Sequence, residues 1–135
     1  MRVVFISVKN NQEKANQIIK LVKKNLLNKE NILILAKNKQ SAEFLDDMLW
    51  SYDEVSFLPH TLSSVPCQDR VVITTEIKNL NEAQTLINLT DKPIMNFSFQ
   101  TLYLFDDHTS PQREAVSKKI YQEYKSSGYS IALLS

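Results

Sequence analysis

The sequence contains almost no glycine and almost no cysteine: Gly128 and Cys67 are the single examples among 135 residues. Phosphate-binding loops need several glycines, because their backbone N–H groups approach the anion in conformations that other residues avoid. We therefore expect no nucleotide-binding loop and no cofactor. One cysteine excludes an intramolecular disulfide and a multi-cysteine zinc site, which fits a reducing compartment.

The sequence also lacks a long apolar run and a strong net charge. The apolar segment at residues 3–8 is too short for a signal sequence or a membrane span, so we expect a cytoplasmic protein without a membrane partner. Sixteen basic and fifteen acidic residues give a net charge of +1. Because no overall positive field attracts nucleic acid, we expect any contact with DNA to be local or indirect.

Charge is nevertheless unevenly distributed along the chain. Residues 1–40 hold nine basic and two acidic side chains, whereas residues 41–76 hold one basic and seven acidic. The lysines between residues 14 and 39 have two interpretations: a phosphate-binding patch, or the solvated face of an amphipathic helix. Helix faces of this kind are the commoner case, since specific phosphate contacts more often use arginine.

The hydrophobic pattern of the N-terminal half predicts strands alternating with helices. Apolar runs at residues 2–8 and 31–36 are typical of strands covered on both faces. A helical stripe lies between them, at Ala15, Ile18, Ile19, Val22 and Leu26. Ser41 is predicted to cap a second helix, whose sheet-facing arc is Phe44, Leu45, Met48 and Leu49.

The C-terminal half continues the alternation after an irregular connection at residues 51–69. Strands are predicted at residues 70–75, 84–89 and 101–105, and Ser110 with Pro111 begins a final helix that Gly128 ends. Strands alternating with helices require a mostly parallel sheet. We therefore predict one α/β domain over residues 1–135, in three layers, with about five strands and helices on both faces.

Trp50 is an unusual residue of the second helix, because it points roughly opposite the predicted sheet-facing arc. Tryptophan is enriched among the side chains that anchor protein interfaces, so an exposed Trp50 would favour partner binding. The alternative is that the following loop folds back and covers the ring with Val55, Phe57 or Leu58.

The final helix divides in a similar way. Its predicted sheet-facing residues are Val116, Ile120 and Tyr124. Lys118, Tyr121 and Lys125 occupy an adjoining flank, where an aromatic ring lies between two ammonium groups. Such a flank suits a short acidic peptide with an apolar side chain or a free C-terminal carboxylate. The alternative is a solvated helix face on which the tyrosine is incidental.

Asp106, Asp107 and His108 follow a predicted parallel strand, at the edge where open α/β sheets bind ligands. Two carboxylates there could bind a small ligand or hold Mg²⁺ for phosphoryl transfer. The alternative is an acidic turn before a helix N-terminus. Because spacing places no other residue to complete a site, we predict no catalytic residue and no metal site, and His60 is predicted to be a hydrogen-bonded structural imidazole.

Three segments of the chain point to a known family. They are residues 45–50 followed by 56–60 (LDDMLW and SFLPH), residues 86–91 (LINLTD) and residues 121–129 (YQEYKSSGY). In order and spacing they resemble the LDxxLW…SFxPH, INLSD and YxxYRxxGY motifs of the chi subunit of bacterial DNA polymerase III. The similarity extends over nearly the whole chain.

The resemblance implies a Rossmann-like α/β adaptor of the clamp-loader assembly, an accessory subunit without chemistry of its own. Such a subunit pairs with the psi subunit and binds the C-terminal tail of single-stranded DNA-binding protein, which is acidic and ends in Pro-Phe. A helicase is a further candidate partner for the surface that binds psi.

Site residues follow from the resemblance position by position. Lys118 and Tyr121 match the tail-binding cation and aromatic residue, beside Gln122 and Lys125. The matches to the psi-binding surface are Trp50, Phe57 and Leu58. Gln122 stands where the family usually has Lys or Arg, and Glu114 occupies another position that can be basic. The resemblance therefore implies a tail site with fewer cations than the family usually has. Lys119, Lys125 or Arg113 could compensate for the missing charge.

Overall fold

A computed structural model of the protein describes residues 1–51, 59–95 and 99–134. Within these residues the chain forms seven strands and three helices. In chain order the elements are β1 (Arg2–Val8), α1 (Asn11–Leu27), β2 (Ile32–Leu35), α2 (Lys39–Ser51), β3 (Thr61–Leu62), β4 (Val71–Thr74), β5 (Thr85–Asn88), β6 (Thr101–Asp107), α3 (Pro111–Ser126) and β7 (Ile131–Leu134).

The seven strands form one sheet in the order β3-β4-β2-β5-β6-β1-β7, and every strand pair in it is parallel. All carboxyl ends of the strands therefore lie along one edge of the sheet. The central strands β2, β4 and β5 are buried at every residue. This burial explains their continuous apolar sequences, because both faces of a parallel sheet are covered.

The predicted three-layer α/β architecture is confirmed. Helices α1 and α2 cover one face, where Ile18, Val22, Leu45 and Leu49 belong to one apolar cluster. Helix α3 covers the other face together with the connections that precede β5 and β6, which contribute Leu80, Ile94 and Phe99.

The predicted number of strands is wrong, because β3 and β7 were not expected. Strand β3 is two residues long and lies inside the segment predicted to be an irregular connection. Strand β7 follows Gly128 and pairs with β1. Strand β6 also extends two residues further than predicted, so Asp106 and Asp107 belong to its end rather than to a turn after it.

Two details of α2 differ from the prediction. The helix begins before Ser41, and the side chain of Asn38 accepts the hydrogen bond from the Ser41 N–H at 2.8 Å, so Asn38 provides the capping interaction. Phe44 is 68% exposed, and Ala42 is buried with Leu45 and Leu49 instead. The side of α2 that faces the sheet is therefore centred further from Phe44 than the helical spacing of the apolar residues predicted.

The ends of α3 confirm the prediction. Ser110 accepts from the Arg113 N–H, and Pro111 is the first helical residue. After the helix, the N–H groups of Gly128 and Tyr129 donate to carbonyls of the last turn, and Gly128 has a positive φ of 86°. This is a Schellman motif, whose left-handed residue is usually glycine. Within the helix, Val116 is exposed rather than sheet-facing, and Ser117 is buried.

Tyr124 fixes the packing of α3 against the sheet. Its side chain is fully buried, and its hydroxyl accepts from the Ile94 N–H at 2.6 Å and donates to the Ile94 carbonyl at 2.8 Å. The ring packs edge-on against Phe5 and Tyr129, with centroid distances of 6.5 and 5.5 Å. One side chain therefore joins α3, β1 and the connection before β6.

The substitution Tyr124→Phe should lower the free energy of unfolding by about 1–3 kcal/mol, because it leaves both buried backbone groups of Ile94 without their partner. Urea denaturation measures this change. The control Tyr121→Phe removes a hydroxyl that has no hydrogen bond within the described residues, and we expect a change below about 0.5 kcal/mol. Equal stability of the Tyr124→Phe and wild-type proteins would contradict the importance of this contact.

Candidate functional site

One flank of α3 faces the β1–β7 side of the sheet. The ring of Tyr121 is half-buried and packs edge-on against Phe5 of β1, with centroids 5.4 Å apart and planes at 76°. At the C-cap of α3, the hydroxyl of Ser127 donates to the sulfur of Met95, in the connection before β6, at 3.7 Å. The contact with Phe5 therefore holds the Tyr121 ring against β1.

The sequence-predicted tail residues meet on this flank. Lys118, Gln122 and Lys125 are exposed, and the spacing from Lys118 to Lys125 places them within two helical turns around Tyr121. The Lys125 ammonium lies 6.0 Å from the centroid of the Tyr121 ring, a cation–π distance. Within the described residues neither lysine forms an ion pair, so both ammonium groups can meet a ligand's carboxylates. We call these four residues the α3 flank.

Of the three cations expected to compensate for Gln122, only Lys125 lies at the α3 flank. The guanidinium of Arg113 donates to the Asn11 side chain at 3.0 Å and to Thr109 at 3.2 Å, which directs it toward the start of α1. Lys119 is exposed but lies two residues before Tyr121, on another side of the helix.

Glu114 is paired rather than free. Its carboxylate lies 3.5 Å from Nδ1 of His108, and Nε2 of the same ring is 3.0 Å from Asp106. Hydrogen bonds to Asp106 and Glu114 raise the pKa of His108 above its ordinary value. When protonated, the imidazole offsets part of the negative charge at this end of α3.

A second surface lies at the end of α2. Trp50 is 53% exposed, which confirms that it is not part of the sheet-facing core. Its ring packs edge-on against His60, with centroids 4.9 Å apart and planes at 62°. The other residues expected at this surface, Phe57 and Leu58, lie outside the described residues, as does Val55.

His60 connects this surface to the fold. Its side chain is completely buried, and Nε2 lies 3.1 Å from Oδ1 of Asp46 and 3.2 Å from the Asp46 carbonyl. Both acceptors are oxygens, so Nε2 donates, and the prediction of a structural imidazole is confirmed. No role was predicted for Asp46. The only indication in the sequence that Asp46 and His60 belong together is that they lie in the two linked segments of the LDxxLW…SFxPH motif.

The two carboxylates at the end of β6 do not form one site. Successive strand residues point to opposite faces of a sheet, so Asp106 and Asp107 diverge. Asp106 pairs with His108. Asp107 is buried and accepts from the Lys14 ammonium at 2.8 Å and from the N–H and hydroxyl of Thr109 at 3.0 and 2.6 Å. The described residues contain no group of three or more His, Cys, Asp or Glu side chains that could hold a metal.

Asp107 and Lys14 form a largely buried ion pair that joins β6 to α1. Burial raises the pKa of the Asp107 carboxyl, but the hydrogen bonds from Lys14 and Thr109 together lower it by more, so the pKa lies below its ordinary value. Lys14 also lies over the ring of Phe105, 5.6 Å from its centroid.

The basic N-terminal region is only partly available to phosphates. Lys14 is occupied by Asp107, and Lys37 lies 3.3 Å from Asp91. Lys20 and Lys24 are exposed on the outer side of α1, where solvated lysines are ordinary.

The described residues thus form two surfaces on which an aromatic ring is at least partly exposed, and no catalytic constellation is assembled within the described ranges. A family model of the DNA polymerase III chi subunit, HolC, matches residues 1–132. The chain belongs to this family. It is therefore a subunit of the kind that accompanies the replicative DNA polymerase III. No curated protein matches the sequence. Among the described helices of this chi-family chain, none is long and apolar enough to cross a membrane.

The substitution Lys14→Met should lower the free energy of unfolding by about 1–3 kcal/mol at pH 7, because it leaves the buried Asp107 carboxylate without its cation. The control Lys37→Met breaks an exposed pair and should cost less than about 0.5 kcal/mol. Thermal and urea unfolding measure both.

The cost of Lys14→Met should also depend on pH. The folded-state pKa of Asp107 is lowered, so the carboxylate stabilises the fold fully above the unfolded pKa of about 4, and this contribution is lost as the pH falls through the folded value. Wild-type and Lys14→Met proteins should therefore become equally stable in acid. A difference that stays constant down to about pH 2 would contradict the ion-pair explanation.

Proposed function

We propose that this chi-family chain is a non-catalytic adaptor of the DNA polymerase III holoenzyme. The α3 flank binds the acidic C-terminal tail of single-stranded DNA-binding protein, and the Trp50 surface binds a psi-type subunit of the clamp loader. The observation that carries the proposal is the Tyr121 ring, held by Phe5 and placed beside the Lys125 ammonium. The whole of residues 1–135 acts as one chi-like domain in this proposal.

The α3 flank has the chemistry that an acidic tail ending in Pro-Phe requires. A half-buried aromatic ring gives an apolar contact for the terminal phenylalanine, and ring pairs of this kind are favourable beyond the area they bury. Exposed lysines add modest attraction that salt screens. Because Phe5 already fixes Tyr121, little conformational freedom of that ring is lost on binding.

The Trp50 surface differs in charge from the α3 flank. Residues 41–76 hold seven acidic side chains and one basic. Glu43 and Asp47 are exposed on α2, and the Asp46 carboxylate lies between His60 and solvent. A large exposed ring near carboxylates suits a partner that offers an apolar pocket with basic residues at its rim. A helicase with the same features would compete for this surface.

The positions of the two surfaces suit an adaptor. Helix α2 packs on one face of the sheet near β3 and β4, whereas the α3 flank lies on the other face near β1 and β7. Strands β3 and β7 are the two outer strands of the sheet. The surfaces are therefore diagonally opposite across the domain, so two partners can bind at the same time.

Nothing in the described residues favours the alternative of phosphoryl transfer by Asp106 and Asp107. The two carboxylates face opposite sides of the sheet, and each has a partner from this chain. Assembly of a shared Mg²⁺ site would first have to break the Lys14–Asp107 pair.

An acidic peptide ending in Pro-Phe should bind the protein with a Kd of roughly micromolar order, because a short flexible ligand is ordered on docking. Isothermal titration calorimetry measures this affinity. Removal of the terminal phenylalanine, or Tyr121→Ala, should weaken binding more than about tenfold. Equal affinity of the peptides with and without that phenylalanine would contradict the assignment.

Charge variants of α3 give a second measure of the same site. Lys118→Ala should lower the affinity and flatten its salt dependence, whereas Lys119→Ala, on another side of the helix, should change neither. Gln122→Lys should tighten binding, since it adds a cation one residue from Tyr121.

Trp50→Ala should weaken binding of a psi-type subunit by about 2 kcal/mol or more while lowering folding stability by less than about 1.5 kcal/mol, because an exposed ring leaves little cavity. Phe44→Ala is the matched control: that ring is 68% exposed on another side of the same helix, and its loss should affect neither quantity. A large fall in melting temperature with unchanged affinity would instead show that Trp50 is structural.

A further inference from the structure

Strand β7 leaves one side of its backbone unpaired. It pairs with β1, and no strand among the described residues lies on its other side. Natural proteins protect such edges with charged residues, proline or bulges, because the free N–H and C=O groups pair readily with another chain. Strand β7 has the sequence IALL and carries none of these protections.

The register of β7 places one exposed leucine beside the α3 flank. Leu133 is the partner of Phe5, and paired residues of a parallel sheet face the same side. Phe5 belongs to the apolar cluster under α3 and contacts Tyr121. Leu133, which is 65% exposed, therefore lies one strand beyond Phe5 on the face that carries Tyr121. Ala132 packs on the other face, so its alternate neighbour Leu134 lies there too.

The dimensions and charges of this edge fit an extended acidic peptide. The distance along α3 from Lys118 to Lys125 is about 10 Å, at about 1.5 Å per residue. The four residues of β7 span about 10–13 Å, so the cationic flank and the free edge have similar lengths. A second copy of this chain carries the same Lys118 and Lys125 charges on its own α3 flank, and like charge disfavours self-association.

We propose that the acidic tail peptide binds as an added strand on β7. Its backbone pairs with the free edge, an apolar side chain lies between Leu133 and Tyr121, and its carboxylates face Lys118 and Lys125. This inference rests on the tail binding proposed above and names the part of the fold that supplies most of the main-chain contact. Strand addition of this kind gives affinity through the backbone and specificity through alternate side chains.

The experiment combines protein variants with a backbone scan of the peptide. Leu133→Ala should weaken binding about fivefold, because it removes apolar contact to the bound strand. Leu134→Ala, on the same strand but the other face, and Leu62→Ala, an exposed leucine on the opposite outer strand, are the controls and should leave the affinity unchanged. All three side chains are exposed, so each variant keeps the fold.

The peptide is then methylated at one backbone nitrogen at a time. An added strand directs alternate N–H groups toward the edge, so methylation at alternate positions should weaken binding about tenfold and methylation between them should not. The strand addition would be overturned if methylation had the same small effect at every position and Leu133→Ala kept the wild-type affinity. If Tyr121→Ala abolished binding in the same experiment, the tail site on α3 would still be supported. No binding of the unmodified peptide to the wild-type protein would overturn both.

Discussion

The orientation of α3 depends on the buried hydroxyl of Tyr124. Burial raises the pKa of Tyr124 to about 12, so the phenol stays protonated and donates to the Ile94 carbonyl throughout the physiological range. The same oxygen accepts from the Ile94 N–H, and the ring packs against Phe5. With Tyr124 fixed, the helix can rotate little about its axis, and Tyr121 on the adjoining side is held against Phe5 rather than in solvent. Core packing thus places the half-buried Tyr121 ring beside Lys118 and Lys125. The α3 flank therefore has its shape in the absence of a partner.

The surface at the end of α2 is also held by a buried polar side chain, although the groups are different. There the fixed element is the His60 imidazole, buried and hydrogen-bonded to Asp46, and the exposed ring that packs on it is Trp50. In both places a buried polar side chain joins two elements, and a neighbouring aromatic ring is at least partly exposed. Since the sheet lies between the two places, the two surfaces are separated, which suits the adaptor role proposed above.

The sequence predicted the features that depend on neighbouring residues and missed those that depend on distant ones. The strand at residues 2–8, the capping by Ser110 and the left-handed Gly128 follow from local chemistry, and all are confirmed. Helical spacing located the core side of each helix but misassigned Phe44 and Val116, because residues at the margin of an apolar arc are buried only where a neighbouring element reaches them. Strands β3 and β7 are short and gain their structure from pairing with β4 and β1. The partners Lys14 and Asp107 are 93 residues apart, so no local pattern could reveal their ion pair.

That ion pair also explains why the function proposed above uses the flanks of this fold rather than its usual binding edge. The carboxyl ends of the strands and the N-termini of α1 and α3 meet where α/β sheets commonly bind anions. Here side chains of the chain itself occupy the donors: Asn10 accepts from the Glu13 N–H at 2.8 Å, Ser110 accepts from the Arg113 N–H at 3.2 Å, and Asp107 accepts from Lys14 and Thr109. An incoming phosphate would have to displace these contacts, including a buried carboxylate with a lowered pKa. The remaining sources of binding energy are exposed aromatic rings, lysines on a helix flank and a free strand edge, all of which recognise peptides better than small anions.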